Sequence, residues 1–218
     1  MVVKQKCVVT VFVVCGKFIY DKQLSNKQTL VIETLGGIRI LYLQVESGKV
    51  VAATVDMGEP IFDVEKIPVI CENAVKEEFP LMAITALDKT FDFHFVSVGN
   101  PHAMTIVENV KDFPVQIYGP ILEIDKHFPN KSNIEFIELV DRNHIKMRVW
   151  ERGSGETMAC GTAATACVAA CVKSNLIDRK AQVELLGGVL EFEWKTDNHI
   201  YMTGPATKVF EGEFNEEE

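Results

Sequence analysis

A cysteine at the entrance to a buried helix can act as a proton donor, a base or a nucleophile, and this sequence contains one such arrangement. Glu151-Arg152-Gly153-Ser154-Gly155-Glu156-Thr157 leads through Met158-Ala159 into Cys160-Gly161-Thr162-Ala163-Ala164. From Gly161 to Lys173, Ala, Cys, Val and Thr dominate every helical face, and a helix that is small and apolar all round must be buried. Its first-turn amides lack intrahelical partners and suit a carboxylate. The positive end of the helix dipole at Cys160 predicts a lowered thiol pKa and a larger thiolate fraction. Cys167 and Cys171, deeper in the helix, read as inert core residues. A second cluster, Val98-Gly99-Asn100-Pro101-His102, ends an apolar run, and its Asn-Pro turn signal reads as a loop that carries His102.

The elements that must position these groups form a mixed pattern. Segments 29–33, 38–45 and 50–56 read as antiparallel strands separated by turn signals at Gly36-Gly37 and Ser47-Gly48. Met57-Gly58-Glu59-Pro60 interrupts this pattern and marks a domain boundary. Strands are expected at 81–87, 91–98, 134–140, 144–150, 181–186, 189–194 and near 199–203, with a helix or loop over 109–127 and a long helix from Cys160. That order predicts an α+β fold with mostly antiparallel pairing. The tail from Phe210 is expected to fray.

One internal similarity points to duplication. Ile32-Glu33-Thr34-Leu35-Gly36-Gly37 matches Val183-Glu184-Leu185-Leu186-Gly187-Gly188, each preceded by a helical segment. Cys160 lies 27 residues before Gly187, so a first copy predicts a helix start near position 8 or 9. Val8-Val9 stands there.

Composition narrows the partners. A net charge of -9, a pI near 5.1 and no basic run argue against nucleic acid or an anionic membrane surface and favour a small-molecule substrate. Six cysteines without a C-x-x-C pair indicate neither a zinc site nor a redox dithiol, and fit reduced thiols in a cytoplasm. The apolar run from Cys7 to Gly16 is too short to span a bilayer and is followed by no signal-peptide cleavage site.

Gly99-Asn100-Pro101-His102, Asn133 thirty-three residues after Asn100, the Glu151–Thr157 segment and the Cys160 helix start together resemble diaminopimelate epimerase in order and spacing. The segment Thr54–Pro60 matches as well, and the resemblance covers about residues 15–212. It implies two pseudo-symmetric domains, each with a sheet around a central helix and with the active site between them. Residues 1–60 plus 206–218 would form the first domain and 61–205 the second. It also implies a cytoplasmic, cofactor-independent isomerase that converts LL- to meso-diaminopimelate in lysine biosynthesis, without a metal and commonly as a homodimer. Two cysteines would flank the inverted carbon, one as base and one as acid. Carried over by position, Cys160 is one of them. His102 and Glu151 would tune its protonation, and the Gly161 and Thr162 amides would bind the reacting carboxylate. Asn100, Asn133 and Arg152 would hold the substrate, Arg152 by a bidentate pair with the distal carboxylate and Glu151 also by accepting the distal ammonium.

The sequence departs from the family in its first half. The family's Cys-Gly-Asn-Gly helix start and its N-terminal strands have no counterpart here, which predicts impaired activity and apolar surface left open. Back-translating Met1 to Cys15 with permitted codons and reading two bases later yields a peptide containing Met-Cys-Gly-Asn-Gly. Residues 1–14 therefore read as an out-of-frame product, with the family sequence restored near Cys15. Two other readings compete: an inactive fragment or binding protein of this fold, and a related cofactor-independent racemase acting on proline or a phenazine precursor. Glu151-Arg152 with Asn133 favours the diaminopimelate branch.

Overall fold

The computed structural model describes residues 9–34, 37–71, 79 and 81–208. Cys7, most of the segment read as out of frame, the turn residue Gly36 and the tail from 209 lie outside the described residues.

The chain begins with α1 (Val9–Asp21) and a meander of β1 (Thr29–Thr34), β2 (Gly37–Glu46) and β3 (Lys49–Asp56). Ser47 and Gly48 both adopt positive φ, the geometry that joins two strands through a two-residue turn with matching twist. After Met57–Pro60, where Gly58 also has positive φ, come β4 (Leu81–Ala86), β5 (Lys89–Ser97) and β6 (Pro101–Ile106). Then follow α2 (Val115–Glu123), β7 (Asn133–Asp141), β8 (His144–Glu151), β9 (Gly155–Thr157) and α3 (Gly161–Lys173). A second meander, β10 (Lys180–Leu185), β11 (Gly188–Trp194) and β12 (Ile200–Pro205), ends the series.

All of these strands belong to one sheet in the order β1-β2-β3-β12-β11-β10-β8-β7-β6-β5-β4, with β9 paired to β8. Only β6–β7 and β8–β10 pair in parallel, so the mixed α+β class with mostly antiparallel strands holds. One expectation is corrected. Pro101-His102 opens strand β6 instead of riding in a loop, because the first residue of a strand needs no amide in the ladder. The glycine-rich approach to Cys160 contains strand β9, which Gly153 and Gly155, both at positive φ, fold back onto β8.

The repeat extends well beyond six residues. Strands β1, β2 and β3 begin at 29, 37 and 49, and β10, β11 and β12 begin at 180, 188 and 200, each 151 residues later. Helices α1 and α3 are both 13 residues long. Applied to Cys160, the 151-residue offset falls on Val9, the first residue of α1. The two meanders meet edge to edge where β12 pairs with β3, an arrangement extended by Ala206 N donating to Val51 O.

Two cores position the site. Around α3 lie Val96, Met104, Ile137, Met147 and Phe192, and every residue from Gly161 to Cys171 is buried. On the opposite side of β5–β8, α2 covers an aromatic cluster of Phe91, Phe93, Phe95, Phe113, Phe128 and Phe136. Strand alternation sends Phe95 to one core and Val96 to the other. The middle strands are thus buried on both faces. No helix among the described residues is long and apolar enough to cross a membrane.

Candidate active site

Parallel pairing of β6 with β7 sets His102 opposite Asn133, and antiparallel pairing of β7 with β8 sets Ile134 opposite Trp150. Asn100, His102, Asn133, Glu151 and Arg152 therefore gather at one end of three adjacent strands. Tight packing keeps this end in register. A Cβ on Gly119 of α2 would sit 2.6 Å from the Trp150 ring, so a larger residue there would push β8 away.

Asn133 acts as a brace. Its Nδ2 donates to Pro101 O and its Oδ1 accepts from Arg152 N, both at 2.9 Å. It thereby ties the start of β6 to the turn after β8. The Arg152 guanidinium donates to Asn130 O at 2.9 Å, and Glu151 accepts from the Thr157 hydroxyl. Glu123, from α2, accepts from Trp150 Nε1 and Gly153 N and pairs with Lys131. These bonds hold its carboxyl below the ordinary carboxylate range although burial, the largest influence, acts in the opposite direction.

Cys160 is the N-cap of α3, with extended backbone and its Sγ 3.4 Å from Thr162 Oγ1. Gly187 N donates to Met158 O at 2.7 Å, and a Cβ on Gly187 would meet that same oxygen at 3.0 Å. Only glycine fits comfortably there, so the second copy of the Gly-Gly turn clamps the loop that delivers Cys160. Thr165 turns its buried hydroxyl onto Gly161 O, which leaves α3 without an orphan hydroxyl in its first turns.

The expected lowering of the Cys160 pKa is overturned. Burial pushes the thiol up first, then the negative charges of Glu151 and, more weakly, Glu135, to about 12. The Thr162 hydroxyl and the Ala163 amide pull the other way but do not prevail. Desolvation at 8% exposure outweighs the helix terminus, so Cys160 is a thiol at neutral pH. Cys167 and Cys171 are fully buried with raised pKa values, as core residues.

One residue escaped the sequence reading. Glu135 on β7 is fully buried, and its Oε1 lies 2.6 Å from His102 Nδ1. His102 is itself 1% exposed, with Nε2 3.0 Å from Asn100 Oδ1. Burial raises the Glu135 pKa, opposed by His102 and the Ala103 amide. The available signal was an acidic residue alternating with apolar ones on a strand otherwise buried on both faces. Among the described residues, no group of three His, Cys, Asp or Glu could hold a metal ion.

Comparison with known proteins converges on one family. The diaminopimelate epimerase family profile matches residues 94–209. Diaminopimelate epimerase of Methanococcus maripaludis strain S2 is 55% identical over 203 residues, which is 92% of this chain and 72% of the relative. The enzyme of Acetivibrio thermocellus is 50% identical over 199 residues, covering 91% and 70%. Among solved structures, a hydroxyproline epimerase from Agrobacterium vitis superposes with TM-score 0.57 at 12% identity, over 88% of this chain and 61% of that one. A PhzF-family phenazine biosynthesis protein from Bacillus anthracis gives 0.55 at 15%, over 93% and 75%. These structural likenesses establish a shared fold, and the sequence identities establish kinship: this chain belongs to the diaminopimelate epimerase family of isomerases.

Proposed function

We propose that the chain binds diaminopimelate at the end of β6–β8 and presents Cys160 as the acid of a two-thiol epimerisation. The observation that carries this is the Cys160 thiol at the N-cap of the buried helix α3, its pKa raised to about 12 by burial and by the charge of Glu151, next to the first-turn amides. The Gly161 and Thr162 amides suit the reacting carboxylate, Asn100 and Asn133 flank it, and Arg152 and Glu151 suit the distal carboxylate and ammonium. Residues 61–205 act as one domain, and 1–60 with 206–218 belong to the other. That division is supported by the 151-residue repeat and by the β3–β12 seam. The reaction belongs to lysine biosynthesis in a reducing cytoplasm.

Inversion needs a base on the face opposite the acid, and Val9 occupies the counterpart of Cys160. The 218-residue chain therefore binds substrate without inverting it. Calorimetry with LL-diaminopimelate should detect binding, while chiral analysis of the same mixture should show no meso product. Failure to bind sinks the assignment of substrate. Inversion that Cys7→Ala abolishes sinks the claim that the opposing thiol is lost, and an uninterrupted frame from Met1 with no epimerase-like coding sequence before it sinks the frame-change account.

A further inference from the structure

Proton counting along the line from Asn100 to Glu135 gives the buried carboxyl a task. The Asn100 side-chain oxygen, 3.0 Å from His102 Nε2, can only accept, so Nε2 carries a hydrogen. His102 Nδ1 faces Glu135 Oε1 at 2.6 Å, and one proton lies between them. Both side chains are fully buried, and Glu135 Oε2 has no hydrogen-bond partner of ordinary geometry. A carboxyl sealed on one oxygen and bonded on the other is costly unless it does something specific.

We propose that Glu135 is a positioning residue: it fixes the ring of His102 with Nε2–H turned onto Asn100, which leaves the Asn100 amide NH2 aimed at the substrate. The geometry supports this independently at each link. β6 and β7 pair in parallel with Met104 opposite Glu135, so the carboxyl reaches along the sheet to His102, two residues back on the neighbouring strand. Asn100 is part-exposed at the strand end, whereas its two supports are sealed. Ring rotation by half a turn would exchange carbon for nitrogen at both contacts, and the Glu135 bond is what disfavours it. Glu135 feels the charge of Glu151, and Cys160 feels that of Glu135, so the line lies near the acid site.

This inference rests on the substrate assignment above, and the test separates the two. Nitrogen-15 correlation spectra of the full chain read the His102 tautomer without any ligand, and Nε2 should give an N–H signal. Glu135→Gln can donate its amide hydrogen to Nδ1, so it should preserve that tautomer and weaken diaminopimelate binding less than threefold, about the scale of experimental scatter on one neutral hydrogen bond. Glu135→Ala and Asn100→Ala should each weaken binding on the order of tenfold to a hundredfold. The double variant should lose no more than Asn100→Ala alone, because both act through one amide. An unprotonated Nε2, a Gln variant as weak as Asn100→Ala, or additive losses overturns the proposal. If Glu135→Ala does not fold, the tautomer and the Gln variant decide. Absence of binding by the unaltered chain overturns the substrate assignment and leaves the tautomer as the test of Glu135.

Discussion

Helices α1 and α3 occupy equivalent places in a repeated unit, yet only one is enclosed. α3 is sealed from Gly161 to Cys171, with β5–β8 on one side and its own meander on the other. On α1, Phe12, Val13 and Gly16 pack against Leu41, Leu43 and Leu30, while Val11, Val14 and Phe18 are 38%, 59% and 55% exposed. The open apolar face expected from the sequence is therefore present on α1. The difference teaches that a meander alone covers one side of such a helix. Raising the pKa of a thiol at its mouth, as happens to Cys160, takes a second layer of strands that exclude water and the carboxylates they bring.

The comparison breaks most readily at Cys160, which caps α3, and Cys15, which lies within α1. Proton exchange at the inverted α-carbon of meso-diaminopimelate, the proton on the Cys160 face, followed in heavy water at alkaline pH where the thiolate serves as base, should fall by roughly 10²- to 10⁴-fold in Cys160→Ala, the span of general acid–base catalysis. Cys15→Ala, in α1, should leave it unchanged. Equal loss in both would end the claim that only the enclosed helix carries chemistry.

A smaller effect tests the enclosure directly. Because the Cys160 pKa is pushed up to about 12 from an ordinary 9.0, its alkylation by iodoacetamide should be more than about tenfold slower at pH 7 than that of an exposed thiol. Its rate should keep climbing through pH 10 in peptide-resolved mass spectrometry. A plateau near pH 9 would mean that burial does not govern the thiol.

Packing supplies the next contrast. Ala166→Leu in α3 should cost about 1–3 kcal/mol in urea unfolding, since no neighbour can withdraw. Val14→Leu on the open face of α1 should stay within about 0.5 kcal/mol. Similar costs would show that α1 is covered after all.

The smallest effect lies at the seam between the units. His199 Nδ1 lies 2.9 Å from both oxygens of Asp56, joining β12 to β3. Asp56, its hydrogen-bond partner, raises the His199 pKa above 6.5, helped by Asp197 and Glu59 and opposed by burial. A raised folded-state value means stability that is present in full below about pH 6.5, the unfolded value, and is lost as pH rises through the folded one. His199→Gln should flatten that slope in thermal unfolding between pH 5 and 8. The effect is small because the ring is partly exposed and screened.

Much of the architecture was legible because periodicity is local. Strands β1, β2, β3, β7 and β8 fall within a residue or two of their expected bounds, and the small-residue run after Cys160 forms the buried helix it implied. Strand β6 was hidden by the Asn-Pro turn signal, which is equally compatible with a strand's first residue. Asn100, His102, Asn133, Glu151 and Arg152 were singled out along the sequence, and pairing of β6, β7 and β8 brings them to one end of three adjacent strands. Their bonding was not readable, because Asn133 reaching both Pro101 and Arg152 depends on register across three strands.

By itself the sequence determined the two meanders, the repeat and the thiol at a helix start, all properties of residues close along the chain. The protonation of Cys160 and the burial of Glu135 against His102 were decided by tertiary structure alone. Both depend on how much water the packed strands exclude and on which charges they leave behind, and neither quantity is written in any short stretch of residues.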